Sequence, residues 1–206
     1  MPTVLAILAE GFEEIEAVTP IDLLRRAGAD VTVATLGETI HVTGGRANLT
    51  LHADTSLATV ESNDFDAIFL PGGPGTKNLR ADPRVRAIVL RHHAAGRLVS
   101  AICAAPTVLH DAGLLANRRY TAHPSVADEL PQILADERVV LDGNLLTSRG
   151  AGTALDFGLR LVELLFTPEK SREVAASICA KGPASSGAFP PPLGFCPFQP
   201  TLVLPP

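Results

Sequence analysis

One cysteine stands where its chemistry would matter. In "LVSAICAAPTVL", residues 98–109, a strand-like run of five residues leads into Cys103, and a helix-prone run follows. Cysteine packs in cores more often than it reacts. A strand-to-helix turn changes that expectation. A thiol at the positive end of a helix is expected to favour thiolate, with a lowered pKa. The N–H of Ala104 would point at the same spot, and the small residues 104 and 105 leave room for a substrate.

Three other stretches carry chemistry compatible with that thiol. "LPGGPG", residues 70–75, supplies glycines at a strand end; the N–H of Gly73 is expected to join that of Ala104 as an oxyanion-stabilising pair. "EGFEEIEAV", residues 10–18, crowds three acids at a helix start. Glu13 and Glu14 suit the helix dipole, whereas Glu16 falls near the packing face. A carboxyl held beside a thiol in an apolar site resists ionisation and can shuttle a proton. "YTAHPSV", residues 120–126, puts His123 before a proline at a strand end, where a Cys–His pair is plausible. No GxGxxG follows the first strand and no GKS or GKT occurs, so a nucleotide site is not indicated.

These residues need a scaffold, and the hydrophobic pattern supplies one. Buried strands are expected at Val4–Ala9, Val31–Leu36, Ala67–Leu70 and Leu98–Ile102, with a short strand at Arg119–Ala122. Residues 37–55 read as a hairpin or small side sheet. Arg138–Leu141 and Leu145–Ser148 pair around "DGN". Helices are expected at Glu13–Ala27, Pro83–Ala95, Thr107–Ala112, Ala151–Phe166 and Pro168–Lys181. The first is read with Ile15, Val18, Ile21 and Leu24 or Leu23 inward, the fourth with Leu155, Leu159, Val162 and Phe166 inward. Strands alternating with helices predict an α/β fold whose mostly parallel sheet is covered on both faces. Reactive groups then gather at the carboxyl ends of the strands.

Composition narrows the partners. The net charge of −5 argues against nucleic acid and anionic membranes, and the absence of Trp argues against base stacking. Cysteines at 103, 179 and 196 form no CxxC, so neither a disulfide framework nor a metal site is expected. The N-terminus lacks a basic n-region and no stretch reaches membrane-span length, which suggests a cytoplasmic setting. Residues 1–181 read as one domain. Residues 182–206 hold eight of the 17 prolines and no Asp, Glu, Lys or Arg, and read as a disordered tail. A partner-binding segment anchored by Phe189, Phe195 and Phe198 is the alternative.

Taken together, "AEGFEEIEAVTPIDLLRRAG", "FLPGGPG", "AICAAPTVL", "TAHP" and "LLTSRGAGTALDFGLRLVE" resemble the ThiJ/DJ-1/PfpI family, closest to its DJ-1/YajL-like branch. The resemblance spans residues 3 to about 180. It implies a flavodoxin-like three-layer sandwich within the class I glutamine-amidotransferase-like superfamily. It also implies a reactive, oxidisable Cys103, an acid Glu16 hydrogen-bonded to it, a nearby His123, and backbone donors at Gly73 and Ala104. Arg26 matches an arginine near the site, and Arg46 one contributed across a homodimer interface.

The function this resemblance implies is glutathione-independent, cofactor-free processing of dicarbonyls such as methylglyoxal, or a related protein deglycase activity. The alternative is an oxidative-stress sensor or redox-regulated chaperone working through Cys103 oxidation. A glutamine amidotransferase would need a late His-x-Glu, which is absent. A PfpI-type peptidase has His directly after the cysteine, where Ala104 stands here.

Overall fold

A computed structural model describes residues 1–180. In chain order, β1 is Thr3–Leu8, α1 Glu14–Ala27, β2 Asp30–Thr35, β3 His41–Thr43, β4 Thr50–His52, β5 Thr55–Ser56, α2 Leu57–Val60, β6 Ala67–Leu70, α3 Thr76–Ala81 and α4 Pro83–Ala94. Then come β7 Leu98–Ile102, α5 Pro106–Asp111, β8 Val139–Asp142, β9 Leu145–Ser148, α6 Ala154–Leu165 and α7 Pro168–Ser177. Short 3₁₀ turns occupy Pro124–Val126 and Ala151–Thr153. The tail assigned to 182–206 lies outside the described residues.

The main sheet runs β5-β2-β1-β6-β7-β9-β8, parallel except where β8 meets β9. Its strands are apolar on both faces, as a doubly covered sheet requires. Val4, Ala6 and Leu8 of β1 face a core that includes α1, α6 and α7. Leu5 and Ile7 face a second core with α4 and α5. The chain leaves β1 toward β2 on one side and later returns to β6 on the other. That reversal puts a topological switch point between β1 and β6, where loops splay and a crevice opens. The carboxyl ends of β1, β6, β7 and β9 are consecutive along the sheet, and the connections leaving them build the site.

Four expectations need correction. Ile15 and Val18 are exposed, not inward. The buried stripe of α1 is Glu16, Ala17, Pro20, Ile21, Leu23 and Leu24. The cause is close helix packing: a Cβ on Gly158 of α6 would come 3.1 Å from Pro20 Cα and 2.6 Å from Leu23 Cδ1. Small residues, not large ones, mark such a seam. Leu155 is likewise more than one-third exposed. Arg119–Ala122 forms no strand: Thr121 N–H donates to Thr147 Oγ1 at 2.9 Å, and Thr121 Oγ1 donates to the Leu134 carbonyl at 2.9 Å. Side chains satisfy a buried segment there that no ladder reaches. Finally, α2 and α3 were not anticipated. Both are short, at four and six residues, too brief for a periodic signal.

Candidate functional site

Cys103 follows the last residue of β7 and adopts φ 66, a left-handed conformation that is strained for a side chain other than glycine. Its N–H donates to the Ser148 carbonyl at 2.9 Å, and its carbonyl accepts the His123 N–H at 2.8 Å. The nucleophile's backbone is therefore tied to β9 on one side and to the His123 segment on the other. The N–H groups of Gly73 and Ala104 favour its ionised form.

Glu16 sits in the first turn of α1 and is 1% exposed. One local and one long-range bond fix this turn: Glu13, the N-cap, accepts the Glu16 N–H at 2.7 Å through Oε2, and Glu13 N–H donates to the Gly72 carbonyl at 2.9 Å. The Glu16 carboxyl accepts the Gly72 N–H on Oε2 at 3.0 Å.

Two glycines leave the space in which the groups meet. A Cβ on Gly150 would lie 3.3 Å from His123 Cδ2, 3.6 Å from Glu16 Oε1 and 3.9 Å from Cys103 Sγ. Three residues drawn from three separate stretches of chain thus converge on one point. Gly72 has no such slack: a Cβ there would sit 2.6 Å from Cys103 Cβ and 2.7 Å from Glu16 Oε2.

The electrostatics of the pair are those of a pocket that resists negative charge. Burial pushes Glu16 up to about 7; the hydrogen bond with Cys103 opposes this, the Glu13 charge adds to it, and the N–H groups of Gly72 and Ala151 pull it down. Burial also pushes the Cys103 thiol up to about 12, reinforced by the Glu16 charge and by hydrogen bonding to it, against the pull of the Gly73 and Ala104 N–H groups. The expectation of a lowered thiol pKa is reversed. Helix α5 begins at Pro106, three residues past the sulfur, and has only six residues. Its dipole is small beside burial and an adjacent carboxylate. One negative charge near neutral pH is what the pair tolerates, and Glu16 is the group poised to hold it or give it up.

The remaining expected residues are placed as follows. His123 is exposed, and its Nδ1 is engaged by Ser125, not by the sulfur, so no Cys–His hydrogen bond is formed. Arg26 lies ten residues beyond Glu16 on α1, about 15 Å along the helix axis. It pairs with Asp22 at 2.6 Å on the surface, which removes it from the site of its own chain. Arg46 lies in the β3–β4 connection, where its N–H donates to Glu14 Oε1 at 3.3 Å, with Ala47 N–H donating to the same oxygen at 2.7 Å. Burial opposes ionisation of Glu14, but these backbone bonds outweigh it and hold its carboxyl below the usual range. Glu14 thus pins the hairpin against the start of α1.

Sequence reasoning missed Gly72, Gly150, Ala151 and Ser125. The "PGG" run signalled the first only as a turn. The others act through main-chain groups or free space, which residue type does not advertise.

The geometry has close counterparts among known proteins. The profile of the DJ-1/PfpI family matches residues 2–164. Protein dj-1beta of Drosophila melanogaster is 43% identical over 178 residues, covering 84% of this chain and 95% of its own length. The glutathione-independent glyoxalase DJR-1.2 of Caenorhabditis elegans is 35% identical over 173 residues, covering 82% and 91%. The solved structure of oxidized DJ-1 from Toxoplasma gondii superposes with a TM-score of 0.83 at 36% identity, covering 87% of this chain and 99% of that one.

Proposed function

The chain belongs to the DJ-1/PfpI family, and from that premise we propose that it converts reactive 1,2-dicarbonyls such as methylglyoxal to hydroxy acids without glutathione or cofactor, through Cys103 and Glu16. The observation that carries the reading is the Cys103–Glu16 pair: a half-buried thiol beside a carboxyl whose pKa is pushed to about 7. A general base works best when its pKa lies near the operating pH. The relative named as a glutathione-independent glyoxalase supports the same chemistry.

The sulfur attacks the aldehyde carbon as its proton passes to Glu16. The alkoxide that forms lies near the N–H groups of Gly73 and Ala104 and is protonated to a hemithioacetal. Glu16, again a carboxylate, removes the proton on the former aldehyde carbon, giving an enediolate in which the hydroxyl proton passes from the oxygen of the sulfur-bearing carbon to the oxygen of its neighbour. Reprotonation at the neighbouring carbon yields a thioester of the hydroxy acid. Water then hydrolyses the thioester, releasing lactate and restoring the thiol. Hydrolysis of glycated amines, the deglycase variant, would begin with the same attack. Purified protein is expected to form lactate from methylglyoxal without glutathione or added metal. Undiminished activity in Cys103→Ala or Glu16→Ala would refute the mechanism.

A redox-sensor or chaperone role is a second reading, favoured by the donors around the sulfur. An oxygen added to Sγ would meet the Gly73 and Ala104 N–H groups and a protonated Glu16. Mass spectrometry after mild peroxide should then find Cys103 sulfinate first. Earlier oxidation of Cys179 or Cys196 sinks that reading.

We also propose a homodimer. Ile15 and Val18 of α1 and Leu49 of the hairpin are 54%, 43% and 56% exposed, apolar side chains that the described residues leave uncovered. A partner there would cover the turn carrying Arg46, giving that residue a route to the neighbouring site.

A further inference from the structure

The neutral ring of His123 is held in one tautomer by its neighbours. The Ser125 N–H donates to His123 Nδ1 at 3.1 Å, and Ser125 Oγ lies 2.8 Å from the same nitrogen. A main-chain N–H can only donate, so Nδ1 must present its lone pair. In the neutral ring the proton is then on Nε2.

The chain around the ring is equally constrained. His123 is extended, with φ −69 and ψ 141, and caps the 3₁₀ turn Pro124–Val126 through its side chain. Pro124 disfavours helix at His123 and keeps this cap geometry. The His123 N–H bond to the Cys103 carbonyl, at 2.8 Å, tethers the ring to the nucleophile's own residue. Cδ2, the ring carbon bonded to Nε2, faces the gap at Gly150 where Cys103 Sγ and Glu16 Oε1 also converge. The proton-bearing nitrogen is bonded to the ring carbon that meets this gap, and the lone-pair nitrogen is turned to Ser125.

We propose that Ser125 is a positioning residue that locks His123 as an Nε2–H donor toward the substrate. His123 then acts as a hydrogen-bond donor to a carbonyl oxygen and not as the base, which leaves proton abstraction to Glu16. This deepens the dicarbonyl reading and rests on it for the identity of the oxygen. It also defines a substrate class. The Gly73 and Ala104 N–H groups serve the oxygen on the attacked carbon, and His123 Nε2–H serves the oxygen on the adjacent carbon. Compounds with two adjacent carbonyls satisfy both sets of donors; simple aldehydes satisfy one.

Long-range proton–nitrogen NMR on the full chain with nitrogen-labelled histidine tests the tautomer without substrate, the His123 signals being assigned with His123→Gln. Nδ1 is expected to be pyridine-like and Nε2 pyrrole-like. A protonated Nδ1, or the mixture typical of a free ring, overturns the proposal. Ser125→Pro removes the donating N–H, which makes no other bond, and should move the ring toward that mixture; an unchanged tautomer in the folded variant overturns the role of Ser125. If that variant does not fold, two substitutions at His123 still decide. Gln places an amide nitrogen where Nε2 stands, and Asn places one where Nδ1 stands. His123→Gln is expected to keep methylglyoxal turnover within about tenfold, and His123→Asn to lose about 10²-fold or more. Equal losses in both overturn the donor role. Lactate formation that survives Cys103→Ala would sink the dicarbonyl chemistry instead, leaving the tautomer to stand or fall on the NMR.

Discussion

Gly72 donates its N–H to Glu16 Oε2 at 3.0 Å, and a Cβ on that same glycine would lie 2.7 Å from the oxygen it serves. The hydrogen bond and the missing side chain are one device. The loop after β6 can hold the acid against the thiol only because nothing stands between them.

Gly72→Ala should therefore damage both stability and turnover. The new Cβ would also meet Cys103 Cβ at 2.6 Å and the Ile102 carbonyl at 2.9 Å. Overpacking of this kind costs about 1–3 kcal/mol. Gly152→Ala, where a Cβ meets nothing within 4 Å, is the control and should be near neutral. Denaturant midpoints of the two variants make the comparison.

Glu16→Gln should lower turnover by about 10²–10⁴-fold, since it removes the acid–base group. It should also make the thiol easier to ionise, because the carboxylate is a cause of the raised Cys103 pKa. Alkylation rates followed against pH should show a lower midpoint than in the wild type. A midpoint that stays put or climbs contradicts the coupling.

The same substitution should stabilise the fold at alkaline pH. Glu16 keeps its proton in the folded state between its ordinary value of 4.5 and about 7, where the unfolded chain has lost it. Stability from this residue is full below pH 4.5 and falls as pH rises through 7. A gap of that size is worth up to about 3 kcal/mol. Glu16→Gln should exceed the wild type in Tm at pH 8 and match it near pH 4.5. A stabiliser that abolishes activity is the usual trade at a working site.

Turnover against pH should rise to a plateau with an apparent midpoint near 7, as Glu16 becomes a free base. The midpoint belongs to the Cys103–Glu16 pair together. Activity that is flat from pH 5 to 9 argues against Glu16 as the base.

His92 provides a linkage of opposite sign elsewhere. It is fully buried on α4, its Nε2 accepts the Phe65 N–H at 3.1 Å, and its Nδ1 faces the Ile88 carbonyl at 2.8 Å. Burial pushes its pKa below 6.5. The neutral ring stabilises the fold above pH 6.5, and that contribution is lost as pH falls further. His92→Gln should be less stable than wild type at pH 8, with the difference shrinking toward pH 5. A constant difference would contradict the linkage.

The strands that build the site were legible because they are buried on both faces. Ala67–Leu70 and Leu98–Ile102 match β6 and β7 residue for residue. The glycine-rich "PGG" and the "AICAAP" turn were legible for a related reason: a chain that must reverse at a strand end shows it in residue type. The faces of α1 and α6 were not. Large apolar residues at helical spacing suggested Ile15, Val18 and Leu155 as core, whereas the seam is made where Pro20 and Leu23 meet Gly158. The surface pairing of Arg26 with Asp22 was likewise hidden, since residue type alone does not say which partner a long side chain takes.

By itself, the sequence determined the α/β class, the strands and helices that carry the site, and which cysteine, acid and histidine come to the carboxyl ends of the sheet. Continuous apolar runs and turn chemistry are local, so a single chain displays them. Only the tertiary structure decided the sign of the Cys103 shift, the partner of His123 Nδ1 and the room left by Gly72 and Gly150. Each depends on how far two groups remote in sequence stand from one another and from water. Burial and a neighbouring carboxylate then outweigh the pull of a six-residue helix.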